Sequence, residues 1–293
     1  MLTINRLKLA PYLFIAPALL MFATFSIVPF FLMTSTSLLN WDGISPHRDF
    51  VWFQNYVEAL LHDQVFRQSF LNGAWVTVLA LTIQNALALI LALAVNRQLA
   101  GRSIYRTIFF IPPILSEIVV GLIWSWIYDG NYGILNDVLR AMGLGAWSRD
   151  WLSSPDTALN AIAVIHMWKG FGWGFVIFLA GLQTIPEELY EAARVDGASP
   201  WYRFWHITVP LLFPVMILVS ILTVLGTMQI FGIIIATTNG GPAYHTEVPI
   251  TRIFASMLGS SRFGYACAQG IIFGVLLLIF SLWQMRWQKR SAM

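Results

Sequence analysis

Six stretches of the chain, at about 11–33, 73–95, 107–128, 159–182, 209–235 and 264–285, are almost free of charge. Each is long enough to be read as a membrane-spanning helix, since a bilayer core takes roughly 20 consecutive apolar residues. Polar residues collect between them. The pattern divides the chain into an anchor helix with a long loop at 1–72, a core of five spans at 73–285 and a short tail at 286–293. The first apolar run contains Ala16-Pro17-Ala18, a small-residue signature of signal-peptide cleavage, but it continues to Phe31 and so reads as an uncleaved anchor.

Composition agrees with this pattern. Of 293 residues, 58% are hydrophobic and 11% charged, whereas an average soluble domain has about a quarter of its residues charged. An ordinary soluble enzyme is excluded. The single cysteine, Cys267, falls in the last span, which rules out an intrachain disulfide and offers no cysteine metal site. The net charge of +3 is not a nucleic-acid footprint, because the basic residues follow the topology. Ten of the seventeen (Arg6, Lys8, Arg97, Arg102, Arg106, Arg194, Arg203, Arg286, Lys289 and Arg290) lie in segments that six spans place on one side. Basic excess marks the cytoplasmic side, so both termini are expected there.

The loop at about 34–72 mixes Trp41, Phe50, Trp52, Phe53 and Tyr56 with acids, as suits a segment lying on the membrane interface. The segment 129–158 is glycine-rich and ends in Ser153-Ser154-Pro155-Asp156, a helix-start pattern for the fourth span. No internal repeat is visible, which weighs against the doubled architecture of many secondary transporters.

The inner loop IPEELYEAARVDGASPWYRFWHITVP, at 185–210, is the most informative stretch. Pro186 with Glu187 and Glu188 suits a helix start. Leu189, Ala192, Ala193 and Asp196 continue it, and Gly197 can end it with a positive φ. Ser199-Pro200 opens a second short helix carrying Trp201, Tyr202, Phe204 and Trp205, more aromatic surface than a solvated connector keeps. A covering partner is expected.

EAARVDGASP followed by Ile207-Thr208-Val209-Pro210 resembles the cytoplasmic EAA loop of ABC importer permeases, with Val209 where leucine is usual. TNGGPAYHTE at 238–247, WKGFGWGFVIFLAGLQTIP at 168–186 and FVWFQNYVEAL at 50–60 are similar to carbohydrate-uptake permeases of the maltose and glycerol-phosphate type. The resemblance covers nearly the whole chain. It implies an all-α, six-helix type I importer permease in a bacterial cytoplasmic membrane. It further implies a second, related permease, two ATPase subunits that hold Mg-ATP, and an extracytoplasmic solute-binding protein. Glu191, Ala192, Ala193, Asp196, Gly197 and Pro210 would form the ATPase-coupling element, with Glu191 pairing across the contact, the alanines allowing close approach and Gly197 a sharp exit. The chain has no Gly-x-x-x-x-Gly-Lys-Ser/Thr loop, so it is expected to carry no cofactor and catalyse no reaction.

Ionisable residues inside spans are costly and usually functional, and two stand out, Glu117 and Lys169. His166, Lys169, Gly170 and Trp173 share one helical face, while Thr223, Gly226 and Thr227, with Gln229 nearby, form a polar stripe in the fifth span. The resemblance places His166, Lys169, Gly170, Thr223, Thr227 and, less directly, Glu117 on sugar-contacting positions of the maltose relatives, though the side chains differ. Trp168 or Trp173 could stack on a sugar ring. Other readings are a Glu117–Lys169 ion pair and interhelical hydrogen bonding by the threonines. A neutral sugar, oligosaccharide or glycoside is the expected substrate. The alternatives are a proton-coupled secondary transporter, with Glu117 as the coupling carboxylate, and a membrane enzyme. The second suffers because His47, His62, His166, His206 and His245 show no metal spacing.

Overall fold

The computed structural model describes residues 3–96 and 101–291. Arg97, one of the basic residues used for orientation, lies outside the described residues, as does the end of the 286–293 tail. Apart from one antiparallel two-residue pair, β1 (Leu39–Asn40) with β2 (Asp49–Phe50), the described secondary structure is helical. Packing divides the chain into two units: the residues up to Asp63 together with Ile253–Val275, and Gln64–Arg252 together with the stretch from Leu276 onward.

In the first unit, α1 (Thr3–Phe22) passes through a π-turn at Ala23–Ile27 into α2 (Val28–Thr36). The apolar stretch Phe14–Thr36 is long enough to cross a membrane, and none of it is buried inside the chain. The loop that follows is folded. Tyr56, in the short α3 (Gln54–Val57), places its hydroxyl 2.6 Å from that of Ser37, and the Asn55 amide donates to the carbonyls of Ser37 and Leu39. Arg262 meets Glu58 through two bonds of 2.7 and 2.6 Å. That guanidinium holds the Glu58 carboxyl below its ordinary range.

The second unit holds the second to fifth spans, and the last span is divided between the two units at Val275. α4 (Gln64–Leu79) runs through a π-turn at Ala80–Gln84 into α5 (Asn85–Asn96). The span expected at 107–128 is instead two helices, α6 (Arg102–Ile114) and α7 (Glu117–Ile127), bent by 95°. Pro112 and Pro113 have no N–H to donate into the last turn, and Leu115 and Ser116 then take extended backbone (ψ 143° and 138°), so the ladder stops. After α8 (Ile134–Ala141), α9 (Pro155–Leu182) is unbroken, opened by Pro155 in its first turn. α10 (Glu187–Val195) and α11 (Pro200–Arg203) precede α12 (Val209–Met228).

The fifth span is likewise interrupted. Residues 229–231 leave the helix, and α13 (Gly232–Thr237) follows. A loop leads to α14 (Pro249–Phe254), and α15 (Phe263–Ser291) completes the chain. Two apolar clusters hold α4, α5, α7, α9, α12 and α13 together. One centres on Val76, Val120, Ile162 and Ile233, the other on Ala88, Phe175, Leu179 and Val219. Small residues let the helices approach where lipid supplies no hydrophobic drive to association.

Candidate functional site

A cavity of about 380 Å³ opens among the π-turn after α4, the start of α7, the middle of α9 and the middle of α12. That volume lies within the range of about 300–1,000 Å³ typical of ligand pockets. The unbroken α9 brings His166, Lys169, Gly170 and Trp173 to its wall at the helical spacing read from the sequence. Glu117 and Thr223 also line it, and Ile177, Val219 and Leu222 give it an apolar side.

The two charged residues do not pair. Lys169 Nζ lies 3.4 Å from the carbonyl of Pro113, at the C-terminal end of α6. Glu117 stands in the first turn of α7 and accepts the backbone N–H of Gly232, the first residue of α13, at 2.9 Å. Each charge therefore sits at a helix end whose partial charge opposes its own. The bend in the third span and the break in the fifth create those ends.

The remaining polar groups fall into two kinds. Thr223 is buried, with Oγ1 at 3.0 Å from Asn85 Oδ1 and 2.8 Å from the carbonyl of Val219. Thr227, one turn further, does not line the cavity. It is 0% exposed, and its hydroxyl lies 2.7 Å from that of Thr77. Gln229 is exposed at the helix break and also lies outside the cavity. By contrast, His166 Nδ1 is buried without a hydrogen-bond partner, and so is Oε1 of Gln84, a lining residue missed in the sequence. The available signal was an amide within an apolar span. Trp173 packs edge-on against Phe110 at 5.1 Å while reaching the cavity, whereas Trp168 packs against Trp124 at 5.7 Å. Among the described residues no group of three or more His, Cys, Asp or Glu could hold a metal ion.

The second candidate element is the connection from α9 to α12. Glu187 and Glu188 open α10 and Arg194 closes it, in the order its dipole favours. The Gly197 N–H donates to the Arg194 carbonyl and the Ala198 N–H to the Ala193 carbonyl, with Gly197 at φ +77°. This paired closure needs a left-handed residue, hence glycine. Ser199 then caps α11 by accepting from the Tyr202 N–H at 3.2 Å. Tyr190 reaches back to Thr208 with oxygens 2.9 Å apart, tying α10 to the start of α12 near Pro210.

Glu191 and Ala192 face outward, and among the described residues Glu191 meets only Arg194, at 3.6 Å. Val195 is 87% and Trp201 70% exposed, leaving an apolar surface beside that carboxylate.

Comparison with known proteins identifies the family. Residues 84–292 match the family described as "Binding-protein-dependent transport system inner membrane component". The chain is 35% identical to the probable ABC transporter permease protein YurN of Bacillus subtilis, over 98% of each chain. It is 32% identical to the sn-glycerol-3-phosphate transport system permease UgpA of Agrobacterium fabrum, over 97% of this chain and 96% of the relative. It is 33% identical to the trehalose/maltose transport system permease MalF of Thermococcus litoralis, over 92% and 90%.

A crystal structure of a bacterial ABC transporter that imports the acidic polysaccharide alginate has the same fold, with a TM-score of 0.83, 23% identity, and 97% and 96% coverage. A second, of an alginate transporter with its ligand-bound periplasmic protein, gives the same TM-score at 22% identity, with the same coverage. The all-α type I permease fold is thus established. The chain is a multi-pass transport permease, not an enzyme, and it belongs to the inner membrane components of binding-protein-dependent transport systems.

Proposed function

We propose that this chain and a second, related permease form an alternating-access path through the bacterial cytoplasmic membrane for a neutral sugar, oligosaccharide or glycoside. A solute-binding protein delivers the substrate outside, and two ATPase subunits carrying Mg-ATP drive the cycle from the cytoplasm, where both termini lie. The observation that carries the reading is the pairing of a cavity that sets Glu117, His166 and Lys169 in an otherwise apolar wall with an exposed, apolar helical connection. One cation and one carboxylate line the cavity, so its formal charges balance, as suits a neutral hydroxylated ligand. His166, Lys169 and Trp173 form its binding wall, and Glu117 and Thr223 hold the helices that frame it.

On the cytoplasmic side, α10 seats in a cleft of the ATPase, a helix-in-groove contact. Glu191 makes the polar contact, Ala192 and Ala193 allow close approach, and the Gly197 closure with Asp196 and Pro210 passes the motion to α12. A proton-coupled reading leaves the exposed apolar surface around Val195 and Trp201 without a role.

Reconstitution of the complete transporter in liposomes tests the reading. The probe panel is trehalose, maltose, diacetylchitobiose, an alginate oligosaccharide and sn-glycerol 3-phosphate, the compounds its relatives are named for. ATP-dependent uptake of at least one neutral sugar is expected; uptake of only the charged members, or of none, overturns the substrate class. Glu191→Lys is expected to leave ATP hydrolysis measurable while abolishing uptake, and normal uptake by that variant would remove the residue from coupling.

A further inference from the structure

Gln84 closes the π-turn Ala80–Gln84, a local widening of the helix of the kind often found at functional sites. The turn is followed directly by Asn85, whose side chain is taken up by Thr223. Gln84 is not taken up. It is 5% exposed and lines the cavity, and its Oε1 is buried with no partner. A buried amide oxygen left unbonded destabilises the fold.

The amide lies against Gly170. A methyl group built on that residue would meet Gln84 Oε1 at 2.8 Å, and Cδ and Nε2 at 3.0 Å each. Those three atoms are the whole amide, so any larger residue at position 170 would displace the group from its place. His166, one turn before Gly170 on the same wall, presents the second unpartnered atom, Nδ1.

We propose that Gln84 is a substrate-binding amide and that Gly170 is its positioning residue, acting by leaving space for it. The proposal rests on the cavity being the substrate path. It also deepens that reading, because an amide offers one acceptor oxygen and two donor hydrogens. That set matches a saccharide's neighbouring ring hydroxyls, one donating to Oε1 and the next accepting from Nε2. The His166 ring nitrogen takes a further hydroxyl. Gln84 Oε1 and His166 Nδ1, the two unpartnered acceptors, are the complement of a diol.

The test compares Gln84→Leu, Gly170→Ala and the double variant in the complete transporter, using whichever panel sugar the wild type imports. Gln84→Leu removes no internal hydrogen bond, so the purified chain is expected to melt at or above the wild-type temperature. Its KM for uptake should rise about tenfold, the loss of roughly one buried hydrogen bond, with turnover at saturation changing far less. Gly170→Ala should raise KM similarly, and the double variant no further than either single. A lowered melting temperature or unchanged KM in Gln84→Leu overturns the proposal, as does a double variant whose KM is the product of the singles. Melting alone supplies an arm that needs no sugar: Gly170→Ala is expected to destabilise the chain and Gln84→Ala to rescue it, and absence of rescue overturns the positioning role. Failure of the wild type to import any panel member counts against the substrate class only.

Discussion

Thr77 and Gln84 lie about two turns apart on the same hydrophobic run, and their surroundings differ in kind. Thr77, in α4, meets Thr227 of α12 in a dry contact in which both hydroxyls also reach carbonyls of their own helices. Gln84 faces a cavity with its oxygen unbonded. Polarity within a span therefore does not by itself identify a binding residue. A satisfied polar group joins helices, whereas an unsatisfied one implies a missing partner. Glu117 belongs with the first kind despite its place on the cavity wall, since it already holds the end of α13.

The distinction can be broken by substitution. Glu117→Leu leaves the Gly232 N–H without an acceptor and removes a negative charge from two helix starts. It is expected to cost about 2 kcal/mol, the range for a hydrogen bond to a charged group, read as a lower melting temperature of the purified chain. If stability is unchanged while uptake affinity falls, Glu117 belongs instead with Gln84.

Glu247, in the loop before α14, is intermediate: it accepts from Thr251 yet is buried. Burial pushes its carboxyl above the ordinary 4.5. The folded state thus holds this proton more tightly than the unfolded chain, so its stabilising contribution is complete below pH about 4.5 and is lost as pH rises through the raised value. Glu247→Gln should flatten that slope and melt higher than the parent at neutral pH. Melting temperatures across that window would check it.

The smallest effect is expected for Thr77→Val. It removes one interhelical contact but leaves Thr227 bonded to its own helix, at a cost of about 0.6 kcal/mol, the average for such contacts in membranes. A loss several times larger would show that the dry level is more than a spacer.

Much of this arrangement was legible in the sequence. The face of His166, Lys169, Gly170 and Trp173 came through because α9 is regular over its length. Thr223 and Thr227 share a stripe by spacing, yet only the first reaches the cavity, because Thr77 occupies the other. The breaks at Ser116 and at 229–231 were not legible. A proline pair in an apolar run announces a kink without its angle, and residues 229–231 carry no proline at all. Gln84 was hidden twice, by its neutrality and by a π-turn that shifts its face off the 3.6-residue period. The lack of a Glu117–Lys169 ion pair follows from the same breaks, which gave each charge its own helix end.

The unburied stretch Phe14–Thr36 bears on how the protein is made. Its 23 residues meet the length requirement for a span without help, so its affinity for lipid is settled before any later segment exists. During synthesis it can leave the insertion machinery before the later spans do. The halves Arg102–Ile114 and Glu117–Ile127 are each shorter than a bilayer crossing and end in open backbone groups. Their polar ends find partners only when α9 brings Lys169 to the Pro113 carbonyl and α13 brings the Gly232 N–H to Glu117. The cavity can therefore close only once α12 has emerged to complete its wall.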